Sequence, residues 1–242
     1  VVISIPSQAV RGLMQELQKY GASEKQYILC MKGIEISTGR RISEIVKDNL
    51  DPSNKVAVWV GPGHVQDFMA GIPNCMVVDS EDKAVINDVV TKFSSDLIRL
   101  YLGDDIIGTE IGAAAKNVIG IAAGMLDGKG LSSLKGPLMA RGTREIARLI
   151  AALGGNEISA YGLCHLGDYE ATLFSKFSHN RMYGELFAKG ETKKVKVYGE
   201  DRYVDYDCQK RVGIAISKLG ASKAVSVGAY AFALSELDKK QV

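Results

Sequence analysis

The sequence predicts an α/β fold in which a partial parallel sheet is followed by an all-α domain. Three observations carry that expectation. Up to residue 102, short β-branched runs alternate with amphipathic stretches of helical spacing. Strands separated by helices are joined by right-handed crossovers, which makes them parallel. Beyond residue 105 the apolar spacing is helical, starting with about twenty residues rich in Ala and Gly.

Each element has its own local reason. VVISI (Val1 to Ile5) is a β-branched run closed by Pro6-Ser7, and Ser7 is placed to cap a helix over Gln8 to Tyr20. That helix puts Val10, Leu13, Met14 and Leu17 on one face, and Gly21 ends it. QYILCM (Gln26 to Met31) is a second strand, Arg41 to Asn49 a helix stopped by Asp51-Pro52, and KVAVWV (Lys55 to Val60) a third strand closed by Gly61-Pro62-Gly63. CMVVDS (Cys75 to Ser80) and IRLYL (Ile98 to Leu102) are strands around a helix at Asp82 to Ser94. The long apolar helix Ile106 to Met125 holds Glu110, Lys116 and Asn117, which marks a buried helix rather than a membrane span. Pro137 to Leu153, Leu166 to Phe177 and Asn180 to Ala188 are further helices, with short ones at Cys208 to Leu219 and Ala229 to Leu237. The boundary near Gly103 gives a partial Rossmann-like sheet over residues 1–103 and a helical domain over 104–242, with 190–242 unassigned.

Composition narrows the function classes. Of 242 residues, 46% are hydrophobic and 24% charged, which suits a folded chain with a sizeable core and excludes disorder. A net charge of +2 leaves no dense basic face for nucleic acid. The opening VVISIPS lacks a basic leader and an A-x-A-like cleavage site, so no signal peptide is expected. Cys30, Cys75, Cys164 and Cys208 form no C-x-x-C pair and suit buried free thiols in a reducing cytoplasm. Three histidines, His64, His165 and His179, lack metal-ligand spacing, so no metal is expected.

Several residues carry candidate chemistry. Lys116 lies in an apolar run, where burial lowers a lysine's pKa and suits it to proton transfer; the alternative is a lysine that snorkels or pairs with Glu110. Lys32 and the Gly61-Pro62-Gly63 turn follow strands at the sheet edge where open α/β sheets take ligands. Asp168 reads either as a site carboxylate or as a helix N-cap. Ser178-His179-Asn180-Arg181 reads as a phosphate-binding cluster or as a solvated turn. No G-x-G-x-x-G, P-loop, G-x-S-x-G or H-E-x-x-H occurs.

Together the blocks MKGIE, VGPGHVQDFMAGIP, DIIGTEIGAAAKNVIGIAAGMLDG, MARGTREIARL, GLCHLGDYEAT and SHNRMYGELFAKG, spanning about Val1 to Gly190, resemble NAD(P)-dependent sn-glycerol-3-phosphate dehydrogenases. The resemblance implies interconversion of sn-glycerol 3-phosphate and dihydroxyacetone phosphate, NAD or NADP as cofactor, a supply of glycerophospholipid precursor and possible homodimers. It implies Lys116 as proton acceptor and Lys32 as a second lysine touching substrate and cofactor. Gly61, Gly63, Asn117, Asp168, Thr172, Ser178, His179 and Asn180 are then substrate contacts, and Val65 and His179 cofactor contacts.

The departures set further expectations. His179 stands where the family has an arginine, so a permanent charge and a bidentate fork are lost. Gly63 replaces Ser or Thr, His165 a glycine, and Ala140 a Thr. Without a Gly-rich fingerprint, the N-terminal nucleotide-binding half is expected to be missing. A degenerate, non-catalytic relative that binds a phosphorylated metabolite or a partner is therefore the alternative. A 2-hydroxy-acid or 3-hydroxyacyl dehydrogenase of similar plan is a third.

Overall fold

The computed structural model describes residues 1–189 and two short strands beyond them. The predicted helices over 208–219 and 229–237 lie outside the described residues. A five-stranded sheet holds β1 (Val2–Ile3), β2 (Gln26–Leu29), β3 (Lys55–Val60), β4 (Asn74–Asp79) and β5 (Ile98–Leu102), in that spatial order. β1, β2 and β3 run parallel, as do β4 and β5. β3 and β4 are antiparallel, with Trp59 opposite Val78, which corrects the all-parallel expectation. The physical reason is the link between them. Residues 61–73 hold only the five-residue helix α3 (Val65–Met69), unread in the sequence, instead of a full crossover helix. The chain therefore turns back beside β3.

Alternation along the strands buries both faces. Tyr27 and Leu29 with Val56 and Val58 pack against α1 (Val10–Lys19) and α2 (Ile42–Asn49). Ile28, Ala57, Val78 and Leu100 pack against α4 (Lys83–Phe93) through Val85, Ile86 and Val89. Asp82 caps α4 by accepting from the Ala84 N–H. Ser7 does not cap α1: a 3₁₀ turn at Ser7–Ala9 intervenes, and β1 is only two residues long.

α5 (Ile106–Gly128) is the core of the helical part. It is long and apolar enough to cross a membrane, but 83% of its most apolar window is buried in protein. α6 (Lys135–Ala152) lays Ile146, Ala147 and Ile150 on Ile111, Ala114 and Ala115. α7 (His179–Ala188) crosses α5 backbone to backbone. A Cβ on Gly124 would sit 1.8 Å from the Arg181 carbonyl oxygen, and one on Gly184 would sit 2.0 Å from that of Ile121. Leu166–Asp168 is 3₁₀ and Glu170–Phe174 is a π-turn, where one helix was expected. Strands β6 (Lys194–Val197) and β7 (Glu200–Tyr203) pair antiparallel, so the part after residue 103 is not all-α. Alternating Lys194-Val195-Lys196-Val197 is a period-2 signal.

Sheet and helices are joined by a buried ion pair. Glu110 of α5 accepts from Arg41 Nη1 at 2.7 Å, and from the Ser43 N–H at 2.8 Å and hydroxyl at 2.6 Å. The alternative in which Lys116 pairs with Glu110 is thereby set aside.

The α5–α7 crossing has a measurable consequence. Gly124→Ala is expected to destabilise by on the order of 3 kcal/mol, since backbone must move apart. Gly12→Ala, at an exposed position of α1 with open space around it, is expected to stabilise by about 0.5–1 kcal/mol. Urea unfolding midpoints of both variants against wild type check the contrast.

Candidate active site

The site forms where strand ends meet α5. Lys32, three residues past β2, donates from Nζ to the Gly61 carbonyl at 2.6 Å and to Asp168 Oδ2 at 2.5 Å. Lys116, near the middle of α5, ion-pairs with the same Asp168 oxygen. Its Nζ also donates to Thr172 Oγ1 at 3.0 Å, and the Thr172 hydroxyl donates to the Asp168 carbonyl at 2.7 Å. Asp168, 1% exposed, thus lies between two ammonium groups and is no helix N-cap. The π-turn carries Thr172 towards Lys116; such turns recur at functional sites.

Electrostatics tune the buried amine. Burial is the largest effect on Lys116, and the like charge of Lys32 adds to it. Asp168 opposes both, and the balance leaves Lys116 at about 7. An amine at that value exchanges a proton readily near neutrality.

A cavity of about 490 Å³ opens over this cluster. Lys116, Asn117, Asp168 and Thr172 form its floor; Gly63, His64 and Val65 wall the sheet side, and residues 176 to 180 the other. Asn180 donates to Asn117 Oδ1 at 2.8 Å, and buried Ser178 caps α7 by accepting from the Arg181 N–H. Exposed His179 lines the rim. Gly61 and Lys32 are the candidates that stay off the cavity lining: the Gly61 carbonyl accepts from Lys32, which reaches the site through Asp168, and the Gly61 Cα faces Met76.

Three contributions escaped the sequence. A ring nitrogen of His64 lies 2.8 Å from the Ala171 carbonyl, and its ring meets Phe177 edge-on, so it bridges sheet and helices. Lys176 lines the cavity. Asp127 ion-pairs with Lys135 at 2.6 Å and Arg181 at 2.8 Å, and these two cations also grip the Leu173 and Ser175 carbonyls. Its partners lie 6 to 54 residues apart, which leaves no regular spacing as a signal. His165, buried, has Nδ1 2.8 Å from the Gly112 carbonyl and Nε2 2.7 Å from Tyr169 Oη. Burial first, then the charge of Lys116, hold it neutral at about 4. Cys164 is buried, while Cys30 and Cys75 are half-buried; Cys208 lies outside the described residues. Among the described residues no three His, Cys, Asp or Glu side chains converge to hold a metal ion.

Residues 1–86 match the family model for the N-terminus of NAD-dependent glycerol-3-phosphate dehydrogenase, and residues 105–202 the model for its C-terminus. This corrects the expectation of a missing nucleotide-binding half, and it carries the likeness beyond Gly190. The NAD(P)+ glycerol-3-phosphate dehydrogenase of Clostridium tetani is 42% identical over 191 residues, 78% of this chain and 54% of that protein. That of Clostridium botulinum is 36% identical over 225 residues, 93% of this chain and 64% of that protein. The chain thus spans less than two thirds of the length of either relative. A crystal structure of glycerol-3-phosphate dehydrogenase from Coxiella burnetii superposes with a TM-score of 0.75 at 27% identity, covering 96% of this chain and 67% of that one. The Plasmodium falciparum structure, at 17% identity and a TM-score of 0.77, covers 90% and 63% and shares the fold. With both halves of one family matched in order, and a sheet and helical part arranged as in its solved structures, the chain belongs to the NAD-dependent glycerol-3-phosphate dehydrogenase family.

Proposed function

We propose that this chain carries the reaction centre of an NAD(P)-dependent dehydrogenase interconverting sn-glycerol 3-phosphate and dihydroxyacetone phosphate. The observation that carries the reading is the Lys116–Asp168 pair on the cavity floor, backed by Lys32 on the same Asp168 oxygen, with Lys116 tuned to about 7. Neutral Lys116 takes the C2 hydroxyl proton in the oxidising direction. Protonated Lys116 returns it to the carbonyl oxygen in the reducing direction. Asp168 sets the position and basicity of Lys116, and Thr172 Oγ1 aims its Nζ. Lys32 stands by to polarise the same oxygen, and Asn117, Ser178, His179 and Asn180 would hold the phosphate end.

The residues present fit the nicotinamide end of the cofactor. Gly63 has φ +131°, a conformation L side chains rarely adopt, and a Cβ there would strike Phe68 and crowd the Asn74 amide. Backbone and Val65 therefore line the cavity's sheet side, the strand-end crevice where such sheets take nucleotides. When bound, the nicotinamide supplies the hydride chemistry. The protein's share is proton transfer and orientation. The same reading has its product serve as a cytoplasmic precursor of glycerophospholipids.

Full-length protein with dihydroxyacetone phosphate and NADH or NADPH tests this. Lys116→Ala is expected to lower turnover by roughly 10²- to 10⁴-fold. Substrate-dependent cofactor oxidation that is absent, or equal in wild type and variant, would sink the reading and favour the non-catalytic alternative.

The pH profiles follow from the proton's direction. Oxidation needs neutral Lys116, so its kcat/KM rises with pH and levels above about 7. Reduction needs the protonated amine, so its kcat/KM falls above about 7. Asp168→Asn removes the one charge that raises Lys116, leaving burial and Lys32 to lower it further. The oxidation limb is then expected to move to lower pH, with reduced turnover; a limb that stays in place contradicts the role given to Asp168.

A further inference from the structure

The cavity's charge balance points to an additional binding residue. A phosphate monoester carries nearly two negative charges at neutral pH. At the floor, the single carboxylate of Asp168 is shared by Lys116, which lines the cavity, and Lys32 behind it. That cluster offers a phosphate at most one net positive charge, and none once Lys116 is neutral. Arg181 is already committed, to Asp127 and Glu185 at 2.8 Å each and to the Ser175 carbonyl at 3.1 Å.

Lys176 differs from both. It lines the same cavity, is exposed, and meets no carboxylate among the described residues. Its ammonium lies 5.5 Å from the centroid of the Phe177 ring, which in turn packs against His64. The segment bearing it is held on either side, by Lys135 on the Leu173 carbonyl and by Arg181 on the Ser175 carbonyl. The backbone is therefore positioned in advance, and ligand binding has only the side chain left to order.

We propose that Lys176 is the phosphate anchor of this cavity, pairing its ammonium with a phosphate monoester of the substrate or of the nucleotide. A lysine suits this as a compact point charge that follows a dianion without fixed geometry. The inference rests on reading the cavity as a dehydrogenase site.

The test uses full-length wild type, Lys176→Ala and Lys176→Arg. Dihydroxyacetone phosphate, NADH and NADPH are varied in turn, with inorganic phosphate as competing inhibitor. Lys176→Ala is expected to raise KM for dihydroxyacetone phosphate by roughly 10- to 100-fold with a smaller change in kcat. The inhibition constant of inorganic phosphate rises in parallel, and Lys176→Arg restores both to within about threefold of wild type. A rise confined to the KM for NADPH identifies the nucleotide's phosphate monoester as the partner. Unchanged constants for every phosphate overturn the proposal. Should wild type show no turnover, the dehydrogenase reading fails by itself, and calorimetry decides the anchor. Binding of glycerol 3-phosphate over glycerol that is lost in Lys176→Ala supports it. Equal behaviour of the two proteins overturns it.

Discussion

A carboxylate that is 1% exposed must be paired, and the pairing of Asp168 organises the whole centre. One of its oxygens binds a lysine from the sheet and a lysine from the central helix. That shared oxygen fixes the distance between the end of β2 and the middle of α5. It also keeps Lys116 from falling as far in basicity as burial and Lys32 alone would drive it. The closure of sheet on helix and the basicity of Lys116 thus depend on one buried charge.

The surroundings are built to keep that geometry. Glu110, between one and two turns before Lys116, locks α5 to the start of α2 through Arg41 and Ser43. Glycines let α7 lie directly on the α5 backbone, which brings Asn180 to Asn117. The Asp127, Lys135 and Arg181 network then fastens the residue 173–178 segment above the cavity. Buried ion pairs of this kind contribute little net stability but are costly to break, so they suit a task of positioning.

Local patterns in the sequence were enough for most elements. KVAVWV and IRLYL are strands at the residues their alternation and β-branching suggest, and α4 begins at the Asp82 cap. The reversal at β4 was not legible, because Cys75 to Asp79 reads as the same apolar run in either direction. The break of Leu166 to Phe177 into a 3₁₀ turn and a π-turn was equally hidden, since it serves contacts of Asp168 and Thr172 with a lysine some fifty residues away.

The sequence by itself determined which side chains were available and which family pattern they follow: a lysine in an apolar helix, another past a strand, an aspartate in HLGDYEAT. Side-chain type and short-range periodicity are local properties, so they can be read along the chain. Only the tertiary structure decided that Lys116 pairs with Asp168 while Glu110 turns to Arg41, and that Lys176 reaches the cavity while Arg181 is held elsewhere. Which opposite charge a buried group meets depends on packing between elements 52 to 136 residues apart, and on the desolvation that packing imposes.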